Sequence, residues 1–226
     1  MHFTILALRM TGNASSPTVL TPREITLHLL GLVLFLGLLG LWYWLSTGAR
    51  AVPTWIEMLQ DDDPSTRIVA AEQLGQVGPA AQAAIPRLLA QATRDGSQHA
   101  NTTAAAALKS IDLTAARQVM THFIPRLQDQ DAQQRRTACA VLGSLGPVAK
   151  PAVPALLAVG HDPDELVRRN ALMALASIGI PSPPIVAALL EGLRDSSSLV
   201  RQTAVTQFAF TVPLTQPVRT ALTTLL

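Results

Sequence analysis

The sequence predicts an all-α, right-handed α-solenoid of about five helical hairpins, preceded by one transmembrane helix. Three observations point there. Five short loops recur in which an aspartate stands six residues ahead of a second polar residue: Asp61 and Arg67, Asp95 and Asn101, Asp129 and Arg135, Asp162 and Arg168, Asp195 and Arg201. The second members fall at 67, 101, 135, 168 and 201, so the steps are 34, 34, 33 and 33 residues, the period of a stacked repeat. Aromatics make up 4% of the chain and apolar residues 49%, so the core is aliphatic, and its abundant alanines favour helices. Finally, 25–45 is an apolar run without Asp, Glu, Lys or Arg.

At 1.5 Å per residue such a run spans roughly 30 Å, the thickness of a hydrocarbon core, and Trp42, Tyr43 and Trp44 cluster at its end as interfacial rings do. The chain therefore divides into a tail at 1–24, a membrane helix at 25–46, a repeat region at 52–212 and a C-terminal capping helix at 213–226. The tail reads either as a flexible segment or as an arm laid on a membrane or a partner. A cleaved signal peptide competes with the anchor, because Ala49-Arg50-Ala51 imitates a cleavage site, but its apolar region would be shorter and begin earlier. Arg9 and Arg23 precede the run and only Arg50 follows closely, a bias that puts the N-terminus in the cytoplasm and the repeats outside, in a periplasm. Gly37 and Gly40 share one helix face and suit contact with a partner's membrane helix, although glycine is also common in membrane helices generally.

Each repeat yields two helices. Three residues after the arginine slot stand Ala70, Ala104, Ala138, Ala171 and Ala204; seven after it stand Leu74, Leu108, Leu142, Leu175 and Phe208. Offsets of three and seven mark one face of an amphipathic helix, the second of each pair. Gly78, Gly146 and Gly179 follow eleven residues after the slot and terminate three of these helices, each with a proline close behind. Asp112 takes that place in repeat two, so its helix end is less sharply marked. Pro53, Pro86 and Pro154 open three of the first helices, where a missing N–H is harmless. In repeat three the phase puts the first helix near 119–127 with Pro125 inside it, which predicts a kink or a late start. Val218, Ala221, Leu222 and Leu225 share a face in the terminal cap that a solenoid needs.

These Asp/Arg pairs, the opening prolines and endings such as Leu74-Gly-Gln-Val-Gly-Pro79 and Leu142-Gly-Ser-Leu-Gly-Pro147 resemble the HEAT-repeat family, in the variant found in phycobilin-lyase-like bacterial proteins. The resemblance implies that Asp61, Arg67, Asp95, Asn101, Asp129, Arg135, Asp162, Arg168, Asp195 and Arg201 form a structural ladder joining consecutive repeats. The chemistry suits it: an aspartate before a helix can cap free N–H groups, and a guanidinium can bridge neighbouring carboxylates. Asn101 breaks the series and marks the junction expected to be least regular.

Little chemistry is expected beyond this. His2, His28, His99, His122 and His161 lack a second ligand at helical spacing, and Cys139 falls on a core offset, so neither metal nor cofactor is predicted and no catalytic residue is assigned. From residue 50 onward there are 15 Lys/Arg against 14 Asp/Glu, a net of +1, which argues against nucleic acid. The slot after the ladder arginine holds Ile68, Thr102, Arg136, Arg169 and Gln202. Arg136 and Arg169 form a basic pair that suits an acidic partner or headgroup, or are simply solvated charges. The sequence thus points to a non-enzymatic scaffold: an accessory subunit whose partners are membrane-complex proteins and the lipid bilayer. The alternatives are an assembly factor or, by family resemblance alone, a chromophore-lyase-like enzyme.

Overall fold

The computed structural model describes residues 50–94, 96–179 and 182–211. The tail, the apolar run with Gly37 and Gly40, Asp95 and the expected cap at 213–226 lie outside them. The chain divides into two units, Met1–Gly48 and Ala49–Leu226, and the described residues belong to the second.

All regular structure among the described residues is helical. The first helices of the five hairpins are α1 (50–58), α3 (Ile85–Thr93), α5 (Leu113–Phe123), α7 (Val153–Ala158) and α9 (Pro183–Gly192). The second helices are α2 (Pro64–Val77), α4 (Gln98–Ile111), α6 (Ala132–Leu145), α8 (Glu165–Ser177) and α10 (Ser198–Thr211). Each second helix packs on the next, α2 on α4, α4 on α6, α6 on α8 and α8 on α10, while α3 packs on α5 and α7 on α9. The result is a two-layer stack, an α-solenoid.

The alanine row Ala70, Ala104, Ala138, Ala171 and Ala204 is fully buried, as are Leu74, Leu108, Leu142 and Leu175. Burying each leucine contributes roughly 1.5–3 kcal/mol. Small residues let the layers close: a Cβ on Gly75 would lie 3.1 Å from the Ala107 Cα, and one on Gly143 would lie 3.1 Å from the Ala174 Cα. Repeat two carries Lys109 at the matching position, and its Nζ instead reaches across to donate to the Ser144 carbonyl at 2.9 Å.

Gly78, Gly146 and Gly179 adopt φ of 66°, 58° and 80°, positive values that glycine tolerates and that stop a helix. After the first two, the chain does not enter the next hairpin directly but makes a 3-10 turn, Gly78–Ala84 and Gly146–Ala152. Asp112 replaces glycine differently. It ends α4 and serves as the N-cap of α5, accepting from the Thr114 N–H at 2.6 Å. The first helix of repeat three therefore starts at Leu113, earlier than the sequence phase suggests, and stops at Phe123 before Pro125, which opens a 3-10 turn rather than kinking a helix.

Within the described residues, 132–161 is long and apolar enough by composition to cross a membrane. It is solenoid core: the chain breaks at Gly146, and Leu142, Leu145 and Leu156 are fully buried against neighbouring helices.

Candidate functional site: the interrepeat ladder and its flanking cleft

Among the described residues, α2, α6 and α8 each start from a two-step device, and α4 and α10 show one step of it. The leading aspartate accepts a hydrogen bond from the backbone N–H two residues on: Asp61 from Asp63 at 2.8 Å, Asp129 from Asp131 at 2.9 Å, Asp162 from Asp164 at 2.9 Å and Asp195 from Ser197 at 2.8 Å. The residue so held is the one that caps. Asp63 accepts from the Ser65 N–H, Ser97 from Ala100, Asp131 from Gln133, and Asp164 from Leu166 and Val167. The helix N-cap is therefore not the leading aspartate, as the sequence suggests, but its second neighbour. An Asp-x-(Asp/Ser) pattern in all five loops carried that signal.

The arginine then ties loop to loop. Nη1 of Arg135 donates to the carbonyls of Asp129 and Gln130 at 2.8 and 2.9 Å, and its Nε and Nη2 hold both carboxylate oxygens of Asp162 at 2.6 and 2.9 Å. Arg168 repeats this with the carbonyls of Asp162 and Pro163 and the carboxylate of Asp195, the last two bonds both at 2.8 Å. A fork gripping a carboxylate through two bonds is the strongest neutralising geometry a side chain offers. Arg67 donates to the carbonyls of Asp61 and Asp62, and Arg201 to those of Asp195 and Ser196. Asn101 reaches backward, donating from Nδ2 to the Arg94 carbonyl at 2.5 Å, and its buried Oδ1 has no partner among the described residues. No cross-repeat cation reaches Asp129 among the described residues.

Arg136 forms a second rung. Its guanidinium pairs with both oxygens of the cap Asp164, so it is not a free charge awaiting a partner. Arg169 occupies the same position one repeat later, but Ser197 stands where Asp164 would, and the Ser197 hydroxyl donates to Glu165 Oε2. Arg169 is half-buried, its Nε is without a partner, and no ion pair holds it among the described residues.

Electrostatics follow the geometry. The bonds from Arg136 hold the Asp164 carboxyl well below its ordinary range, at about 2. Burial pushes the Asp162 carboxyl up, but the bonds from Arg135 and the Asp164 N–H outweigh it and leave it lowered. Arg168 likewise keeps Asp195 lowered. Cys139 is fully buried, and desolvation, followed by the nearby Asp162 charge, pushes its thiol up to about 12.

Beside the last rungs lies an open cleft of about 810 Å³ between α7 and α9. Leu172 and Leu175 floor it, the Arg168–Asp195 pair forms one wall, and His161 and Glu191 stand at the rim with Nδ1 and Oε1 3.5 Å apart. Among the described residues no three His, Cys, Asp or Glu side chains converge as metal ligands.

A stack of helical hairpins joined by arginine–aspartate rungs defines an α-solenoid repeat module. The chain belongs to the HEAT-repeat family, whose profile matches residues 52–124 and 120–209. A comparison with curated proteins found no match. In solved structures, the complex of CpcE and CpcF of phycocyanin lyase from Nostoc sp. PCC7120 is similar at 25% identity and a TM-score of 0.50, covering 70% of this chain and 98% of that one. YibA of E. coli matches at 19% identity and TM-score 0.49, over 80% of this chain and 63% of that one. A designed armadillo repeat protein in complex with peptide (KR)4 matches at 16% identity and TM-score 0.48, over 76% of this chain and 86% of that one.

Proposed function

We propose that this protein is a membrane-anchored scaffold, an accessory subunit that presents a HEAT solenoid to another protein of a membrane complex. The observation carrying this reading is that the charges of the closed rungs are spent on one another. Arg135, Arg136 and Arg168 are each closed onto a carboxylate of the following repeat, which leaves the solenoid surface as the place for recognition. The α7–α9 cleft supplies a recess that pairs a leucine floor with charged walls, a shape that receives a side chain or an extended segment of a partner. The run 25–45 supports the anchor, with the N-terminus in the cytoplasm and the repeats in the periplasm. Tethering would raise the local concentration of the module beside membrane partners.

Mild-detergent purification of the full chain with mass spectrometry of co-purifying proteins tests the reading. A membrane-fraction protein with a reproducible stoichiometric partner, lost on Ala187→Trp at the exposed cleft wall, is the expected result. A chain found only in the soluble fraction, or one without any partner, overturns it.

The likeness to the phycocyanin lyase complex favours a second reading, a chromophore-lyase-like role. Transfer of a bilin to an acceptor protein in the presence of the purified chain, followed by absorbance, would support it.

A further inference from the structure

Among the described residues, the first aspartate and the last arginine of the ladder lack a cross-repeat partner, and they lack it in complementary ways. At one end, Arg201 uses Nη1 on the carbonyls of Asp195 and Ser196, as Arg135 and Arg168 use theirs. Those two arginines then close Nε and Nη2 on a carboxylate of the next repeat. Arg201 is exposed and closes on none among the described residues. At the other end, Asp61 is exposed and accepts only the Asp63 N–H through Oδ1. Its counterparts Asp162 and Asp195 are each gripped by an arginine 27 residues earlier. For Asp61 that position is Leu34, which carries no charge.

The apolar surface is open at the same two places. Four residues past the arginine slot, Ala71, Ala105, Cys139 and Leu172 are all buried, whereas Val205 is 58% exposed. Two residues past the slot, Thr137 and Thr203 are buried, whereas Val69 is 49% exposed. The first set faces the following repeat and the second faces the preceding one: Asn170, two past its slot, donates back to the Arg136 carbonyl. Arg201 with Val205, and Asp61 with Val69, are therefore the two halves of one interrepeat interface.

We propose that a second copy of this chain docks head to tail on the first, Arg201 of one copy closing on Asp61 of the other and Val205 covering Val69. The contact is heterologous, so it does not close on itself and successive copies extend the stack. It goes beyond the scaffold reading: other partners bind the flanks, whereas this contact uses the ends.

The test is light scattering of the full chain in detergent across a concentration series. The native protein grows in mass with concentration without stopping at a dimer, and high salt weakens the association because its ion pair lies at the rim. Val205→Lys, at an exposed position that leaves the fold intact, weakens self-association roughly tenfold. Val69→Glu does the same, and mixing the two variant chains restores association through the intact Val205 end of the Val69→Glu chain and the intact Val69 end of the Val205→Lys chain. Arg201→Gln also weakens association and flattens its salt dependence. A native chain that stays monomeric at every concentration overturns the proposal, and so do single variants that associate as the native chain does or a mixture that fails to recover.

Discussion

Arg135 and Asp162 stand 27 residues apart in the chain and are joined by two hydrogen bonds of 2.6 and 2.9 Å. The same aspartate positions Asp164, which caps α8 and is itself gripped by Arg136. One loop therefore receives two arginines from the preceding repeat, and it sets both the start of its own helix and the packing of that helix on its neighbour.

Removing Arg135 or Arg168 leaves a part-buried carboxylate without its counter-ion, held only by the bonds from its own loop, and two backbone carbonyls without their guanidinium donor. Arg135→Ala and Arg168→Ala should each destabilise the fold by roughly 2–4 kcal/mol, and Arg136→Ala by about 1–2 kcal/mol because its pair is more exposed. Urea unfolding of the full chain in detergent measures the difference.

Restoring the missing rung should do the reverse. Asn101→Arg places a guanidinium at the slot that Arg67 fills, also buried, one repeat earlier, and it brings a fork to Asp129. The expected gain is about 1 kcal/mol, read as a rise in Tm. No gain would mean that the α4–α6 junction, where Lys109 bridges to Ser144, holds the two repeats too far apart for the fork to reach.

Ser197→Asp extends the second rung to Arg169. The new carboxylate would cap α10 and neutralise the unpaired guanidinium, against some repulsion from Glu165, for a net stabilisation of roughly 0.5–1 kcal/mol. The gain should vanish in the Arg169→Ala background, a double-mutant cycle that isolates the pair.

Acid should unpick the ladder in a defined window. The carboxyls of Asp162, Asp164 and Asp195 are lowered in the folded chain, that of Asp164 to about 2. Unfolded aspartate titrates near ~3.9. A lowered folded value means that the unfolded chain takes up protons first, so the contribution is complete above about pH 5 and is lost as pH falls from there toward 2. Urea midpoints measured down that range should fall less steeply in Arg136→Ala than in the native chain.

Cys139 should be chemically silent. With its thiol buried and its pKa near 12, the thiolate is negligible at pH 8, and a thiol reagent should label the native chain only on the timescale of unfolding. Fast labelling without denaturant would show that α6 opens locally.

Much of the solenoid was legible because period and helix face are written locally. The alanines three past the slot and the leucines seven past it form the core, since a repeat that must stack repeats its buried positions. What stayed hidden depended on partners distant in sequence. Asp164 lies 28 residues from Arg136, so the sequence shows Arg136 and Arg169 as equivalent basic residues, while the structure pairs one and leaves the other. The capping role is written in the Asp-x-(Asp/Ser) loops, but the strict period marks the first aspartate rather than the residue that caps. In the sequence Asp112 shows only the loss of a glycine stop, because nothing local shows that the next helix begins on the following residue.

A rung asks only for the arginine of one hairpin and the loop of the next, and this makes the hairpins exchangeable parts. Excising the unit between Asp162 and Asp195 would set Arg135 against Asp195 with its chemistry intact, whereas Arg136 would meet Ser197 and lose its carboxylate. Duplication or deletion can thus lengthen or shorten the stack without inventing a contact. The first rung makes the parts interchangeable, and the second gives them an order.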